Sequence, residues 1–284
     1  MRTWMLALTF CAALGCVAGC SSAVPLPPKA IELNRDGAAA LATGHLEVAY
    51  ARVALALEYN PRFTEAWVNL GIIEQERGNF DLAKRDFVKA RDLNPDLPAP
   101  HHALGLLAER EGHLALAEKH YRAALKVDPG FAPARDNLAR LLFARGDYEE
   151  AREHFLRLTQ VAPEVLDGWT GLSETLLRLG RSDDAESVLV RARKSFGQTP
   201  AVELLEARFL LRRGAFGEAE AHLEPLTEIP DRSLACSAWA WLAIARLGQG
   251  NVDGAVAAAE RARALDPDDG VARYALRAAK EAHR

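Results

Sequence analysis

Histidine, cysteine, carboxylate and closely spaced glycine are the side chains from which most sites are built. The 284-residue chain has eight histidines, at 45, 101, 102, 113, 120, 154, 222 and 283. No two stand in an H-E-x-x-H arrangement, which would place two imidazoles on one helix face for zinc. His101 and His102 are adjacent, and neighbours on a helix diverge by about 100°, so they do not converge on one ion. Cys11, Cys16, Cys20 and Cys236 make neither a C-x-x-C pair nor a disulfide framework. No glycine-rich phosphate loop and no G-x-S-x-G elbow occurs, and the abundant carboxylates are accounted for by solvated helix surfaces. These patterns predict no catalytic residue, no metal and no cofactor.

Cys20 is the exception. The apolar run after Arg2 ends in Val17-Ala18-Gly19-Cys20. It is too short for a comfortable membrane span and has the layout of an export signal. The run and its last four residues together resemble the bacterial lipoprotein signal. That resemblance implies cleavage after residue 19 and lipidation of Cys20. Ser21 and Ser22 in place of an Asp imply the outer membrane, most naturally its periplasmic face. Residues 20–29 then read as the lipidated Cys with a Pro-rich tether, extended at roughly 3 Å per residue. Cys236 is left as the only remaining thiol.

The glycines that bind no phosphate have another order. Gly44, Gly78, Gly112, Gly146, Gly180 and Gly214 are each 34 residues apart, and Gly250 follows after 36. Five residues after each stands an Ala: 49, 83, 117, 151, 185, 219 and 255. Seven before each stands a small residue: Gly37, Gly71, Gly105, Ala139, Ser173, Ala207 and Ala243. Pro61, Pro95, Pro129 and Pro163 share the period, and Pro267 closes the seventh unit. Glycine suits the left-handed residue just past a helix, small side chains suit a close helix crossing, and proline stops the second helix of a hairpin. Leu70, Leu104, Leu138, Leu172, Phe87, Tyr121 and Phe155 fill the seam. Asp147 with Glu150 has the spacing of a capping box.

Ala66-Trp67-Val68-Asn69-Leu70-Gly71 through Phe80, Ala83, Phe87, Ala90 and Pro95 resembles the tetratricopeptide repeat (TPR). The resemblance covers about residues 30–269. It implies an all-α, right-handed α-solenoid of about seven TPR hairpins: 30–63, 64–97, 98–131, 132–165, 166–199, 200–235 and 236–269. Residues 270–284 are expected to cap it, with Val271, Tyr274, Ala275 and Ala278 on the apolar face. Repeats six and seven are looser: Glu206 stands where Leu is usual, and two residues are added near Glu228–Asp231.

First-helix residues line the concave groove of a TPR superhelix, so the resemblance implies Asn69, His102, Asp136, Asn137, Arg140, Glu174, Arg178, Arg208 and Arg212 as partner-binding residues. Asn34 and Arg35 open the series. Asn69 and Asn137 hold the position at which family members hydrogen-bond a ligand backbone, a task that suits an amide's paired donor and acceptor. Ala103 interrupts the series, and the Lys and Asn set that clamps a C-terminal carboxylate is incomplete. Trp67, Trp169 and Trp239 share one core position. Trp241 falls on the groove instead.

Charge narrows the partner. With 35 Lys+Arg against 39 Asp+Glu the net charge is −4, giving no footprint for nucleic acid. The expectation is a non-catalytic scaffold held in the outer membrane by its lipid, binding an extended protein segment. The lipid signal, tether and array together resemble the type IV pilus biogenesis lipoprotein (PilF/PilW, secretin pilotin) family, implying a role in pilus or secretin assembly. An adaptor for cell-wall (peptidoglycan) enzymes is the alternative.

Overall fold

The computed structural model describes residues 25–282. Cys20, the signal and most of the tether lie outside the described residues. Fifteen α-helices are present among those described, and no strand. None is long and apolar enough to cross a membrane. The chain divides into two units, Met1–Ala134 and Arg135–Arg284.

The first unit contains three hairpins. They are α1 (Pro28–Ala42) with α2 (Leu46–Tyr59), α3 (Thr64–Glu76) with α4 (Phe80–Leu93), and α5 (Pro98–Arg110) with α6 (Leu114–Val127). Helix α7 (Ala132–Arg145) begins there and runs into the second unit. That unit continues with α8 (Tyr148–Val161), α9 (Leu166–Arg178), α10 (Ser182–Phe196), α11 (Pro200–Arg212) and α12 (Phe216–Leu223). A 3-10 turn (Glu224–Glu228) follows, then α13 (Arg232–Gly248), α14 (Val252–Leu265) and α15 (Gly270–Ala282). The order is that of seven helical hairpins and a last helix, as in a TPR solenoid.

The recurring glycine makes each hairpin turn. All seven have positive φ, from 73° to 95°. The residue after each donates its N–H five residues back: His45 to Ala40, Asn79 to Glu74, His113 to Ala108, Asp147 to Leu142, Arg181 to Leu176, Ala215 to Leu210 and Asn251 to Arg246. That bond satisfies a carbonyl left over at the helix end, and it needs a left-handed residue at the glycine.

The small residues and the prolines also have visible causes. A Cβ on Gly105 would stand 2.5 Å from Cε1 of Tyr121, and one on Gly71 equally close to Phe87. The aromatic ring of the second helix thus lies directly against the backbone of the first. Trp67 and Trp169 donate their indole N–H to the carbonyls of Pro61 and Pro163, at 2.8 and 3.0 Å. Where a tryptophan follows the proline by six residues, this hydrogen bond joins the first helix to the end of the hairpin before it.

Several expectations are corrected. Helix α1 starts at Pro28, inside the stretch 20–29 expected to be a tether, and Leu26 packs on the core of the first two hairpins. No capping box forms at α8, because the Asp147 carboxylate pairs with Arg145 instead of a backbone N–H. The buried face of α15 is Ala272, Ala275, Leu276 and Ala279, while Tyr274 is exposed. Leu276 therefore carries the large apolar contact expected of Tyr274. The added residues before α13 shorten α12 to eight residues and insert the 3-10 turn. Asp231 then caps α13, accepting from the N–H groups of Ser233 and Leu234.

Candidate functional site

Within the first unit, α3 and α5 supply the expected contact residues. Asn69 is half-buried and donates to Oδ1 of Asn34 at 2.8 Å, so one of its amide hydrogens is already bonded within the array. His102 is a correction. Its ring lies 5.9 Å from that of Tyr121 and 5.6 Å from that of Phe131, edge-on to the latter. Desolvation lowers its pKa to about 4, so it packs as a neutral aromatic ring and offers no charge to a partner. His101 is partly exposed and stands 6.3 Å from His120 across the α5–α6 hairpin. Burial lowers both values, helped by Arg91.

The second unit brings more of the expected residues together. Arg140 on α7, Glu174 and Arg178 on α9, and Arg208 and Arg212 on α11 stand two or six residues before the repeat glycine. A separation of four residues keeps them on one side of each helix. Helix α9 packs on α11, and α11 on α13. Arg140, Arg178 and Arg212 are exposed. Arg178 leans toward the Phe143 ring at 6.0 Å. Glu174 pairs with Arg208, and the Arg208 guanidinium lies 5.1 Å over the ring of Trp241 on α13. Carboxylate, guanidinium and indole thus form a line across three successive first helices. Trp241 is only partly exposed and packs on the core of the last repeats, so its free surface is smaller than its position implied.

Asp136 is a second correction. It is 1 % exposed and neither carboxylate oxygen has a hydrogen-bond partner. Burial raises its pKa to about 6; Arg140, 3.9 Å away, opposes the shift and Asp167 adds to it. A carboxylate so enclosed cannot meet an extended ligand. Asn137 is partly buried and engaged within the fold.

One cluster was not expected. Glu203 and Glu206, one turn apart on α11, meet His222 on α12, with one ligating atom from each within 4.8 Å of the others. Glu203 Oε2 lies 2.6 Å from His222 Nδ1, and its Oε1 accepts from Gln198 at 2.7 Å. Burial pushes the Glu203 carboxyl up, but the bonds from His222 and Gln198 outweigh it and hold the pKa below its usual value. Glu206 is 6 % exposed; Arg193 donates to its Oε1 at 2.8 Å, and its Oε2 is buried without a partner. The only sequence signal was Glu206 itself, standing where a repeat normally has Leu. Cys236 is buried, and burial pushes its thiol up to about 11, with Asp269 and Asp266 adding to the shift; it stays protonated and unreactive at neutral pH.

Tetratricopeptide repeat family models match residues 64–97, 108–167, 170–230 and 237–261. The chain is a tetratricopeptide repeat protein, of a class that serves as protein-interaction scaffolds and is generally non-catalytic. A Parabacteroides merdae tetratricopeptide repeat protein is similar at 16% identity and TM-score 0.69, over 89% of this chain and all of that one. A thermophilic TPR protein of Thermus thermophilus, TTC0263, is similar at 25% identity and TM-score 0.55, over 65% and 99%. Pseudomonas aeruginosa pilF is similar at 21% identity and TM-score 0.54, over 78% and 97%. No curated protein matches the chain.

Proposed function

We propose that this scaffold captures an extended, acidic segment of a protein partner on the first-helix face of its second unit. The observation that carries the reading is the set of exposed guanidinium groups, Arg140, Arg178 and Arg212, on three successive first helices of a net acidic chain. Glu174, on the same face, is paired with Arg208, and Asp136 beside Arg140 is enclosed in the fold. What remains available is positive, and a planar guanidinium fork matches carboxylates. Trp241, braced under Arg208, closes the row with an apolar surface.

The test is capture from envelope extract by wild type and by the triple reversal Arg140→Glu, Arg178→Glu and Arg212→Glu. The reversed protein keeps its helical circular dichroism and loses the wild-type partners, and wild-type capture weakens as salt is raised. Equal capture by both proteins would move the contact to another face.

The finer reading is a lipid anchor on Cys20 and a partner in pilus or secretin assembly. It rests on the Val17–Cys20 signal joined to a TPR array. Cys20→Ala should release the protein from membranes and abolish labelled palmitate incorporation. Deleting the gene should deplete assembled secretin from the outer membrane. Normal secretin assembly in the deletion strain would remove the pilus reading and leave the scaffold intact.

A further inference from the structure

The sixth hairpin departs from the other six at two places. Its second helix, α12, is cut to eight residues. Its first helix buries Glu206 where the repeat pattern calls for an apolar side chain. A buried carboxylate is costly unless something compensates it, and Arg193 reaches only one of its two oxygens. The second oxygen faces no hydrogen-bond donor. Beside the Glu206 carboxylate the fold gathers the carboxylate of Glu203 and the imidazole of His222, the first from the same helix and the second from α12.

The arrangement of donors around the cluster is informative. Each carboxylate has one oxygen bonded by a neighbouring N–H donor: Arg193 for Glu206 and Gln198 for Glu203. Each keeps its other oxygen clear of those donors. Outer partners that fix a carboxylate while sparing one oxygen are the usual support of metal-binding carboxylates. With a neutral imidazole, two carboxylates and one guanidinium, the group carries one net negative charge.

We propose that Glu203, Glu206 and His222 form a zinc-binding site that clips α11 to α12. One imidazole and two carboxylates are a ligand set suited to Zn²⁺, which takes nitrogen and oxygen ligands at about 2.0–2.2 Å. Harder cations such as Ca²⁺ and Mg²⁺ prefer all-oxygen cages. At tetrahedral angles those bond lengths separate ligand atoms by roughly 3.4 Å. The present 2.6 Å hydrogen bond between His222 and Glu203 has to open by under ~1 Å, and the wider gaps have to close by ~1–1.5 Å. Side-chain rotation of exposed-edge residues covers both. The fourth position is left for water. The ion bridges the hairpin whose second helix is shortest, so it supplies a cross-link where helix packing is least extensive. The inference is independent of which partner the scaffold captures.

The experiment uses the tag-free full chain, stripped with chelator and dialysed against ZnCl₂. Wild type should retain one equivalent of zinc by elemental analysis and melt several degrees higher with zinc than without. Co²⁺ in place of zinc should give the visible absorption of a low-coordinate site. His222→Gln and Glu203→Gln should each weaken retention at least tenfold. Glu206→Leu, which restores the usual apolar residue, should fold normally and lose the zinc-dependent rise in melting temperature. His120→Gln, in the other histidine pair, should change nothing. Absence of retained zinc in wild type would overturn the proposal. So would retention that survives His222→Gln and Glu206→Leu, or that is abolished by His120→Gln.

Discussion

Replacing Gly105 with alanine tests the reason for the small residue in each hairpin. The added methyl would lie 2.5 Å from Cε1 and 2.7 Å from Cδ1 of Tyr121. Carbon atoms rest at about 3.5–4 Å, so the ring or the helix must move back by about 1 Å. The ring has little freedom to move. Tyr121 is fully buried, and its hydroxyl donates to Glu109 at 2.6 Å, which anchors the far end. Overpacking of this kind costs about 1–3 kcal/mol. Against it, alanine is favoured over glycine in a helix interior by about 1 kcal/mol. Because the ring is enclosed and tied at its far end, the upper part of the overpacking range applies, about 2–3 kcal/mol, and the two terms leave a net loss of about 1–2 kcal/mol, more if the Tyr121–Glu109 bond breaks. Gly217→Ala is the matched control. Gly217 is exposed in the first turn of α12 and has no neighbour within 4 Å of an added Cβ, so alanine should stabilise by about 0.4–1 kcal/mol. Urea melts followed by circular dichroism give the sign for each variant. Hydrogen exchange locates the damage, which should raise exchange roughly 5–30-fold in α5 and α6 and leave α13 and α14 unchanged. A Gly105→Ala protein as stable as wild type would refute the reasoning, because the crossing would then tolerate a side chain.

Three further perturbations have signed outcomes. Asp136→Asn should stabilise the fold at pH 7.5: the raised folded pKa makes the acid's contribution complete below about pH 4 and lost as pH rises through about 6, a penalty of ~2–3 kcal/mol at most at neutral pH, and urea melts from pH 4 to 8 should show that slope in wild type and not in the variant. Asp231→Ala removes the side chain that accepts from Ser233 and Leu234, so α13 should lose about 1 kcal/mol, read as faster exchange in its first turn. Glu174→Ala and Arg208→Ala, combined in a double-mutant cycle, should couple by about 1–2 kcal/mol because both side chains are about four-fifths buried, and Trp241 fluorescence should change when Arg208 is removed.

The hairpins were legible because each periodic residue answers a local geometric demand. Gly78 is needed by the turn at its own position, and Gly71 by the ring sixteen residues on. Trp67 and Pro61 meet through one hydrogen bond six residues apart. Such demands act within a repeat or across its junction with the next, and they recur along the chain, so the sequence repeats them. The capping box at Asp147 failed for the opposite reason. Its spacing was right, but Arg145 stands within reach and offers a stronger, charged donor. At the last helix, Tyr274 and Leu276 competed for the apolar face, and the helix turned to bury the aliphatic residue.

The contact residues were harder to read, because position on a helix fixes a direction and not a partner. Glu174 and Arg208 are 34 residues apart, the same place in successive repeats, and their pairing follows once the helices stack. Asp136 and His102 also share a repeat position, one residue before the Asn137 position, and both turn inward. The adjacent-residue rotation of about 100° leaves Asn137 partly exposed while its neighbour Asp136 is enclosed. Glu206 shows how far a repeat can be read. The period marks it as a departure, since the same place is Leu in five of the other hairpins and a partly exposed Asp36 in the first. Nothing in the period names what compensates it. His222 comes from the facing helix and Arg193 from the hairpin before, and only the packed structure brings them to one carboxylate. A repeat protein's recurring spacing explains its scaffold; the side chains that break the spacing are where its individual chemistry has to be sought.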